Sequence, residues 1–409
     1  MRTREKVLKE PQLPCVRHHG GVVEVPVHYM RGGTSTGVVI WESLLPKDEL
    51  LKAELLRHLM GVPLSGHQEN NRQITGLGRG PATSNKVFLA RIEETSNGPQ
   101  LVSTLAQLAS DHGEIDWSVN CGNMSSALPL WAIDTGLIDM PETGACEIEI
   151  KNTNTGVVTM ARMMRDEHGR FLHAEIPGVS GAFPGVDLFL QSPVGNKTGA
   201  LLPTDSVLNV IAGYQVSCVD VAVPMVIADA ASFGKSGHEP IAELEADTVF
   251  MKALRQVWIG AGLKMGLRRR DGELMSRSDL EKSETIPKVC IVGVPRHGGN
   301  IAVRYFTPQT GHASMAVSGG CCLAAACLIP GTIANKVARG IIPPAVCFSD
   351  IEVSIENPAG RLDATVVARL EGSKIEISSA AYRRSAQILM RGSVPLYRAS
   401  AELIGAMGG

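Results

Sequence analysis

The chain has 409 residues and a mass of 43.5 kDa, which at roughly 150 residues per domain predicts two or three domains with sizeable cores. Apolar residues make up 44% and charged residues 20%, and 39 basic against 41 acidic groups give a net charge of -2, which excludes a disordered chain or a polyelectrolyte. Aromatic residues reach only 4% and no long basic run is present, so nucleic acid is not an expected partner. Glycine (43) and proline (23) favour many short strands and turns over a helical bundle.

The nine cysteines are irregularly spaced, with no CxxC pair and no Cys/His spacing typical of zinc. We therefore expect no metal, and a reducing, cytoplasmic compartment. Residues 1–20 include a charged stretch without the apolar core of a secretory signal, which predicts a flexible, solvated tail. The uncharged stretch Ala313–Asn335 is interrupted by glycine and proline, so we interpret it as a buried helix with its loops rather than a membrane span.

Short alternating or β-branched runs bounded by Gly, Pro, Asn and Asp predict strands along the whole chain. In chain order these are Val22–Met30, Val38–Trp41, Lys86–Ile92, Ala145–Ile150, Val157–Arg162, His173–Ile176, Val216–Val221, Met225–Ala228, Lys288–Val294, Ile301–Phe306, Ile351–Ile355, Ala364–Leu370 and Lys374–Ser379. Amphipathic spacing predicts surface helices over Glu49–Met60 and Ile241–Gly260. The Gly- and Pro-rich stretch Pro177–Pro203 is the expected crossover between domains.

Two segments, Asn120–Ile133, which ends at Asp134–Gly136, and Val317–Pro330, are uncharged and rich in small residues. A helix that is apolar on every face must be buried on every face, so we predict one central helix in each of two α/β domains. The predicted amino-terminal domain combines residues 21–190 with 380–400, and the carboxyl-terminal domain covers 191–379. Similarity between the two halves is too faint to establish a repeat from the residues alone.

Two glycine-rich loops carry candidate chemistry. Arg31–Gly37, of sequence RGGTSTG, follows a predicted strand and can direct backbone N–H groups at an anion, or can simply form a turn. Ile74–Lys86 leads directly into an apolar strand. Lys86 therefore lies where a loop becomes a strand, a position at which an ammonium group loses part of its hydration, although most lysines are solvated surface charges.

Cys121 is predicted to lie at the start of the first buried helix, where the helix dipole and unpaired N–H groups lower a thiol pKa. Asn120, Gly122 and Asn123 flank it with polar or permissive groups that packing alone rarely requires. Ser125 lies in the same first turn, where N–H donors are available to a substrate carboxylate.

At the second buried helix, Ser318 is predicted to be the N-cap, followed by Gly319 and Gly320. Cys321 and Cys322 lie further into the helix and are interpreted as packing residues. His312 either binds a carboxylate or satisfies a loop carbonyl. Arg384, in the pair Arg383–Arg384 after a predicted strand, can clamp a carboxylate in bidentate fashion, or be an ordinary surface arginine.

Taken together, these motifs resemble those of the PrpF family, which includes 2-methylaconitate, methylitaconate and aconitate isomerases and 4-oxalomesaconate tautomerase. The resemblance extends over residues 22 to 396, and its specificity lies in the order of the motifs. The motifs are YMRGGTSTG at Tyr29–Gly37, QITGLGRGPATSNKV at Gln73–Val87, NCGNMSSALPLWAIDTGLI at Asn120–Ile138, GALLPT at Gly199–Thr204 and RRSAQILMRG at Arg383–Gly392.

The resemblance implies a diaminopimelate-epimerase-like fold, with two similar domains, each a mostly antiparallel sheet around a central helix, and an active site in the cleft between them. It places the catalytic lysine and cysteine of the family at Lys86 and Cys121. The implied reaction is a cofactor-independent allylic proton shift on an unsaturated di- or tricarboxylate. The enzyme is expected to be cytoplasmic, to be able to form a homodimer and to have no membrane partner. The candidate substrate-binding residues are Arg31, Gly32, Thr34, Ser35, Ser84, Asn85, Asn120, Gly122, Asn123, Met124, Ser125, His312, Ser318, Gly319, Gly320 and Arg384.

Two positions depart from the family motifs. Thr36 replaces the usual lysine of GGTSKG, and Thr75 replaces the usual acid of QIDG; either change can alter which acid is accepted. Two alternatives stay open at this point. One is a cofactor-independent racemase or epimerase that uses Cys121 with Cys321 or Cys322, although Ser318 occupies the position of the second catalytic cysteine of related epimerases. The other is a non-catalytic, carboxylate-binding accessory protein.

Overall fold

The computed structural model describes residues 14–80, 84–96, 98–118, 120–269, 271–372 and 374–408. Over this part of the chain the protein divides into two compact units. The first unit contains the described residues up to Glu175, together with Gly181–Val186 and the segment from Arg384 onward. The second unit contains Ile176–Ser180 and Asp187–Arg383.

The amino-terminal half of the chain supplies most of the first unit. Its strands are β1 Arg17–His19, β2 Val22–Gly32, β3 Ser35–Trp41, β4 Lys86–Thr95, β5 Gly98–Leu108, β6 Ile115–Asp116, β7 Gly144–Asn152, β8 Val158–Arg165, β9 His173–Ala174 and β10 Phe183–Gln191. Its helices are α1 Glu49–Met60, α2 Gly122–Ser125 and α3 Ala127–Asp134. Residues 1–13 of the predicted tail lie outside the described residues, whereas Arg17–His19 pair with Val22–Glu24.

Strand pairing in the first unit alternates between hairpins and crossovers. β2 and β3 are antiparallel, β3 and β4 are parallel, β4 and β5 are antiparallel, β5 and β7 are parallel, and β7 and β8 are antiparallel. The first parallel connection contains α1 and the second contains α2 and α3. Parallel neighbours require such a crossover because the chain must return to the same end of the sheet.

The second unit continues the element series. Its helices are α4 Ile241–Ala246, α5 Thr248–Lys264, α6 Arg277–Lys282, α7 Val317–Leu328 and α8 Ile333–Val337. Its strands are β11 Asn209–Ile211, β12 Tyr214–Val221, β13 Val223–Asp229, β14 Lys288–Gly293, β15 Ile301–Thr307, β16 Thr310–Gly311, β17 Ser349–Asn357, β18 Gly360–Glu371 and β19 Lys374–Leu396. The end of β19 and helix α9, Ala401–Met407, belong to the first unit.

The second unit repeats the pairing order of the first. β12 and β13 are antiparallel, β13 and β14 parallel, β14 and β15 antiparallel, β15 and β17 parallel, and β17 and β18 antiparallel. Helices α4, α5 and α6 lie in the first crossover and α7 lies in the second. The two units are therefore topological copies, and the predicted fold class, a mostly antiparallel sheet with one central helix per domain, is confirmed.

Helix α7 forms the centre of the second unit's core. Its residues from Gly319 to Leu328 are buried, and they pack with β12, β13, β17 and β18. Two glycines at its start permit this packing, because a Cβ on Gly319 would lie 2.5 Å from the Tyr305 ring and one on Gly320 would lie 2.3 Å from the Tyr382 ring. Helix α5 packs against the other face of the sheet, where Leu254 and Trp258 meet Val289 and Ile291.

Every strand predicted from the residue pattern is present, most with shifted ends, but six strands were missed, of which β5 and β10 are the longest. β5 begins Gly-Pro and includes buried Ser103, and β10 lies inside the stretch interpreted as a crossover. The predicted strand end at Ser379 was also wrong, because β19 continues to Leu396 by pairing with β2 over residues 386–396. Arg384 consequently lies within a strand rather than after one. These strands depend on partners distant in sequence, which a local pattern does not register.

Two of the predicted helices, Ile241–Gly260 and the first buried helix, are each divided into two shorter helices. Asp247 separates α4 from α5 because its carboxylate accepts hydrogen bonds from the N–H groups of Val249 and Phe250 and so begins a new helix. The first buried helix is interrupted at Ser126, four residues after the α2 start. Pro129 lacks the N–H that would bond to Ser125, which explains the interruption. None of the helices in the described ranges is both long enough and apolar enough to cross a bilayer.

The close contact between α7 and Tyr382 predicts a strong effect of Gly320→Ala. Its Cβ would clash with a fully buried ring, so we expect the free energy of unfolding to fall by about 1–3 kcal/mol, measured by urea denaturation. Gly405→Ala in α9 is the matched control, because no atom lies within 4 Å of its Cβ position and alanine favours helix. Equal midpoints for Gly320→Ala and the wild type would contradict this account of the packing.

Candidate active site

The β2–β3 hairpin lies directly against the start of α2. A Cβ on Gly32 would be 2.6 Å from the carbonyl oxygen of Asn123, and one on Gly33 would be 2.5 Å from the Asn123 Oδ1. Gly33 also has φ of 53°, which favours glycine. Asn123 Nδ2 donates to Thr34 Oγ1 at 3.2 Å. The glycines of the first predicted loop therefore serve backbone contact with α2.

Cys121 is the N-cap residue of α2. Its Sγ accepts a hydrogen bond from the N–H of Met124 at 3.5 Å and lies 3.8 Å from Ser35 Oγ. The N–H of Cys121 donates to Asn120 Oδ1 at 2.7 Å, and Ser125 Oγ donates to the carbonyl oxygen of Cys121 at 2.9 Å. The thiol is half-buried and held in a defined position by these contacts. The adjacent Gly122 is exposed, with no atom within 4 Å of its Cβ position.

Lys86 is the first residue of β4 and is only 4% exposed. The neighbouring strand approaches it closely at Gly37, where a Cβ would lie 2.5 Å from the Lys86 carbonyl oxygen. Burial lowers the pKa of Lys86, and the charge of the Cys121 thiolate raises it to a smaller extent. The amine and the thiol therefore lie within range of an electrostatic interaction, although Lys86 and Cys121 are 35 positions apart in the sequence.

Asn85 organises the loop that leads to Lys86. Its amide makes four hydrogen bonds, to Gln73 in both directions, from the Arg79 N–H and to the Gly80 carbonyl oxygen. Gln73 is 1% exposed and in turn bonds to the Met60 carbonyl oxygen. These bonds occupy the Asn85 side chain within the loop. The half-buried Ser84 precedes it, and residues 81–83 of the same loop lie outside the described residues.

Arg31 is a buried cation beside the hairpin turn. Its Nη1 donates to the carbonyl oxygens of Gly33 and Ser385, and its guanidinium lies 4.6 Å from the centre of the Phe183 ring. Among the described residues, no hydrogen-bond partner is found for its buried Nη2. Burial lowers the pKa of Arg31, so an anion beside Nη2 would stabilise its charge. Arg384 is likewise buried, and its Cδ would lie 3.2 Å from a Cβ on Gly33.

In the second unit, the start of α7 differs from its prediction. The helix begins at Val317 with Ala316 as N-cap residue, so Ser318 is a first-turn residue and its prediction as the N-cap was wrong. The helix starts earlier than predicted because the last extended residue is Ala316, two positions before Ser318. The first helical hydrogen bond runs from the Gly320 N–H to the Ala316 carbonyl oxygen at 2.9 Å. Gly319 and Gly320 are buried against tyrosine rings.

His312 lies just before α7. Its N–H donates to the Tyr305 carbonyl oxygen at 2.9 Å, and its Nδ1 accepts from the Ser314 N–H at 2.9 Å. Burial and the positive charge of Lys288 both lower the pKa of His312. Sequence reasoning missed Lys288, although its strand begins KVCIV, which resembles the KVFLA that begins at Lys86.

The prediction that Cys321 and Cys322 are packing residues is confirmed, because both side chains are fully buried in the α7 core. Burial raises the pKa of the Cys322 thiol, which makes the thiolate form unfavourable.

The predicted site residues thus form two groups. The hairpin, the loop before β4 and the start of α2 bring together the first-unit residues Arg31, Gly32, Thr34, Ser35, Lys86, Asn120, Cys121, Asn123, Met124, Ser125 and Arg384. Asn85 supports this group through the loop. The second unit supplies His312, Ser318, Gly319 and Gly320 around the start of α7.

Comparison with known proteins gives consistent matches over nearly the whole chain. The model of the family described as PrpF protein matches residues 22–397. The putative isomerase YbhH of Escherichia coli is 32% identical over 344 residues, covering 83% of this chain and 90% of that protein. The 4-oxalomesaconate tautomerase of Pseudomonas putida is 29% identical over 382 residues, covering 92% and 98%. The crystal structure of a methylitaconate-delta-isomerase superposes with a TM-score of 0.75 at 25% identity, covering 93% of this chain and 97% of that one.

The lowered pKa of Lys86 predicts a pH-dependent contribution to stability. Between the folded-state pKa and the usual 10.5, the unfolded chain binds more protons, so wild-type stability increases with pH relative to Lys86→Met. The difference in free energy of unfolding between the wild type and Lys86→Met can change by at most about 1.4 kcal/mol per pH unit. Urea denaturation from pH 7 to pH 10 measures it.

Lys151→Met, which removes an exposed lysine from β7, is the matched control for this measurement. If the two variants showed the same pH dependence relative to the wild type, the burial effect assigned to Lys86 would be refuted.

Proposed function

This chain belongs to the PrpF family and is an isomerase, and we propose that it moves the double bond of an unsaturated di- or tricarboxylate by an allylic proton shift. The observation that carries the proposal is that β3 contacts both groups: Ser35 Oγ lies 3.8 Å from Cys121 Sγ, and Gly37, two residues further on, packs against the backbone of Lys86, whose buried amine interacts electrostatically with Cys121. Relatives named as oxalomesaconate, methylaconitate and methylitaconate isomerases support the substrate class.

Lys86 is the base in this proposal. Its neutral amine takes the proton from the carbon next to the double bond, and the C–H electron pair spreads over the conjugated system into a carboxylate. A proton then returns two carbons away, so that the double bond moves and no atom or electron is gained or lost. Burial supports this role because it lowers the pKa of Lys86 and increases the fraction of neutral amine near neutral pH.

Cys121 is proposed as the partner acid that returns the proton. The Met124 N–H and the nearby Ser35 hydroxyl support it, since both can stabilise the thiolate left after proton transfer. A thiol transfers protons readily near neutral pH, whereas a hydroxyl at the same position does so far less readily. The same contacts also suit a Cys121 that only shapes the site, and its replacement distinguishes the two roles.

Arg31 is proposed to bind a substrate carboxylate through its buried Nη2. A fixed cation next to the reacting carbons stabilises the negative charge that develops on that carboxylate during proton removal. Asn85 and Gln73 are proposed to position Lys86 by fixing the loop before β4, because their amides bond within that loop. Asn85 thereby acts on substrate through Lys86 rather than by contact.

The two departures from the family motifs lie in different surroundings. Thr36 is opposite Arg31 in the β2–β3 pairing, and Tyr29 Oη donates to its hydroxyl at 3.4 Å. Thr75 lies in the wall of a cavity of about 920 Å³ whose lining includes Arg57 and Tyr397 but neither Lys86 nor Cys121. We therefore propose that Thr36, as the neighbour of Arg31, affects the choice of acid more strongly than Thr75 does.

The racemase alternative required Cys321 or Cys322 as a second acid-base group, and both are enclosed in the α7 core. This burial favours the isomerase. All nine cysteines are free thiols, which supports the proposed reducing, cytoplasmic location.

Replacing Lys86 tests the proposed base. We expect Lys86→Ala to lower kcat/KM by ~10²–10⁴ while the protein keeps its fold, because the variant has no group to accept the allylic proton. Proton NMR in deuterated buffer, with cis-aconitate, trans-aconitate, 2-methylaconitate and oxalomesaconate, reports both vinyl-proton migration and label uptake. Lys151→Ala is the control, and isomerisation at the wild-type rate by Lys86→Ala would remove the central role of Lys86.

Replacing Cys121 tests the partner acid. We expect Cys121→Ser to lower kcat at least ~10²-fold with a smaller change in KM, because the hydroxyl keeps the shape of the side chain but is a poor proton donor and acceptor near neutral pH. Cys347→Ser, at an exposed cysteine, is the control. A Cys121→Ser enzyme with wild-type kcat would assign Cys121 a role in shaping the site only.

A further inference from the structure

His238, His297 and Glu356 bring three potential metal ligands together in the second unit. One ring nitrogen of each histidine and one carboxylate oxygen of Glu356 all lie within 4.8 Å of one another. His238 precedes α4, His297 lies in the turn between β14 and β15, and Glu356 lies near the end of β17. No metal was expected from the spacing of cysteines and histidines, because these three residues come from segments far apart in the sequence.

The cluster lies at the end of β14 opposite Lys288. The strand runs from Lys288 to Gly293, and the His238 Nε2 lies 2.9 Å from the carbonyl oxygen of Val294, the next residue. An extended strand of this length spans about 20 Å. The cluster is therefore separate from the start of α7, where the charge of Lys288 acts on His312.

The hydrogen bond of His238 leaves one of its ring nitrogens available to a metal. A carbonyl oxygen can only accept, so the contact with Val294 puts the ring proton of neutral His238 on Nε2 and the lone pair on Nδ1. Metal-binding histidines usually donate their other ring N–H to a carbonyl or carboxylate in this way, which fixes the ring. The backbone is held as well, because Arg304 donates to the carbonyl oxygens of His238 and Glu239.

The Glu356 carboxylate is 4% exposed and keeps one acceptor position open. Oε1 accepts hydrogen bonds from the N–H groups of His297 and Gly299, and Oε2 accepts one from the N–H of Arg296. Each carboxylate oxygen has about two acceptor positions, so with these donors among the described residues one position remains on Oε2. Gly299 permits the close approach, because a Cβ there would lie 2.7 Å from Glu356 Cγ. The carboxylate is thus fixed in place before any ion binds.

The two histidine rings have the separation of two ligands on one ion. Their centroids are 6.0 Å apart and their planes meet at 79°, so the rings do not stack. Two imidazoles bound at ~2.1 Å to one tetrahedral ion have centroids roughly 5–6 Å apart. His297 is exposed, so its ring can turn through the remaining distance without disturbing the core. The exposed side also leaves a fourth position open to water.

The buried charges around the cluster favour a cation. The carboxylates of Glu239 and Glu356 both act on the charge of the buried Arg304. Two carboxylates against one guanidinium leave an excess negative charge for a metal ion to neutralise. Arg296 and Arg361 are exposed, so water and salt screen their charges.

We propose that His238, His297 and Glu356 bind one divalent transition-metal ion, with Zn²⁺ as the best match and water as the fourth ligand. Two imidazoles and a carboxylate are a ligand set that zinc takes in tetrahedral sites, whereas Mg²⁺ and Ca²⁺ prefer oxygen ligands. The ion joins the loop before α4, the β14–β15 turn and the end of β17. Its role is to stabilise the second unit, and the isomerisation proposed above does not require it.

Calorimetric titration of the full-length, untagged protein with Zn²⁺ tests the site. Cys15→Ser and Cys347→Ser are introduced first, because exposed thiols also bind zinc. We expect His238→Gln and His297→Gln each to weaken the binding of one Zn²⁺ at least ~10-fold. His168→Gln is the matched control and should leave the dissociation constant unchanged, because His168 is also exposed and its Nε2 lies 3.6 Å from the carboxylate of Glu167.

Exchange of one ligand gives a spectroscopic signature of the site. Co²⁺ takes the place of zinc in tetrahedral sites, and it absorbs by thiolate-to-metal charge transfer when a cysteine binds it. In the protein without Cys15 and Cys347, His297→Cys should therefore gain this absorption on addition of Co²⁺. His168→Cys should not gain it.

Zn²⁺ should also raise the midpoint of thermal unfolding of the parent protein and leave that of His297→Gln unchanged, since an ion that binds only the folded state stabilises it. Circular dichroism without metal establishes that each variant is folded. A loss of Zn²⁺ affinity below tenfold in either histidine variant, or no charge-transfer absorption in His297→Cys, would overturn the proposal. Neither result depends on turnover, so the isomerase proposal stands or falls separately.

Discussion

Three glycines of the β2–β3 hairpin, Gly32, Gly33 and Gly37, allow two other backbone segments to lie directly against it. One is the start of α2, which holds Cys121, and the other is the start of β4, which holds Lys86. A side chain at any of the three positions would meet atoms at about 2.5 Å, so the hairpin would have to move away from one of its neighbours. The nearness of amine and thiol thus follows from backbone packing, which fixes positions more tightly than contacts between flexible side chains.

Hydrogen bonds between protein groups hold the residues around this site in place. Gln73 and Asn85 pair their amides inside the loop before β4, and Asn120 and Ser125 bond to the backbone of Cys121. Such supporting bonds reduce the rearrangement that a charged intermediate would otherwise require of its surroundings. Burial then lowers the pKa of Lys86, because the charged amine is only weakly hydrated at this position.

The repeated topology gives the second unit a related arrangement with different groups. Where the first unit has Lys86 and Cys121, the second has Lys288, with His312 and Tyr305 around a helix start that carries no reactive thiol. The fully buried Cys321 and Cys322 belong to the helix core. The two topological copies therefore present different side chains at equivalent helix starts, and the second copy has no exposed thiol there that could act as the second acid-base group of a two-thiol racemase.

The sequence by itself determined the fold class, the two buried helices and the membership in the PrpF family, because glycine positions, apolar periodicity and ordered motifs are local features. Only the tertiary structure decided that β5 and β10 are strands and that β19 extends to Leu396. It also decided that Asn85 bonds within its loop and that Lys288 lies on the α7 face. The strands and the face of Lys288 depend on partners far along the chain, whose contacts outweigh local preference and leave no pattern in the segment itself, whereas the Asn85 bonds depend on how its own loop is folded.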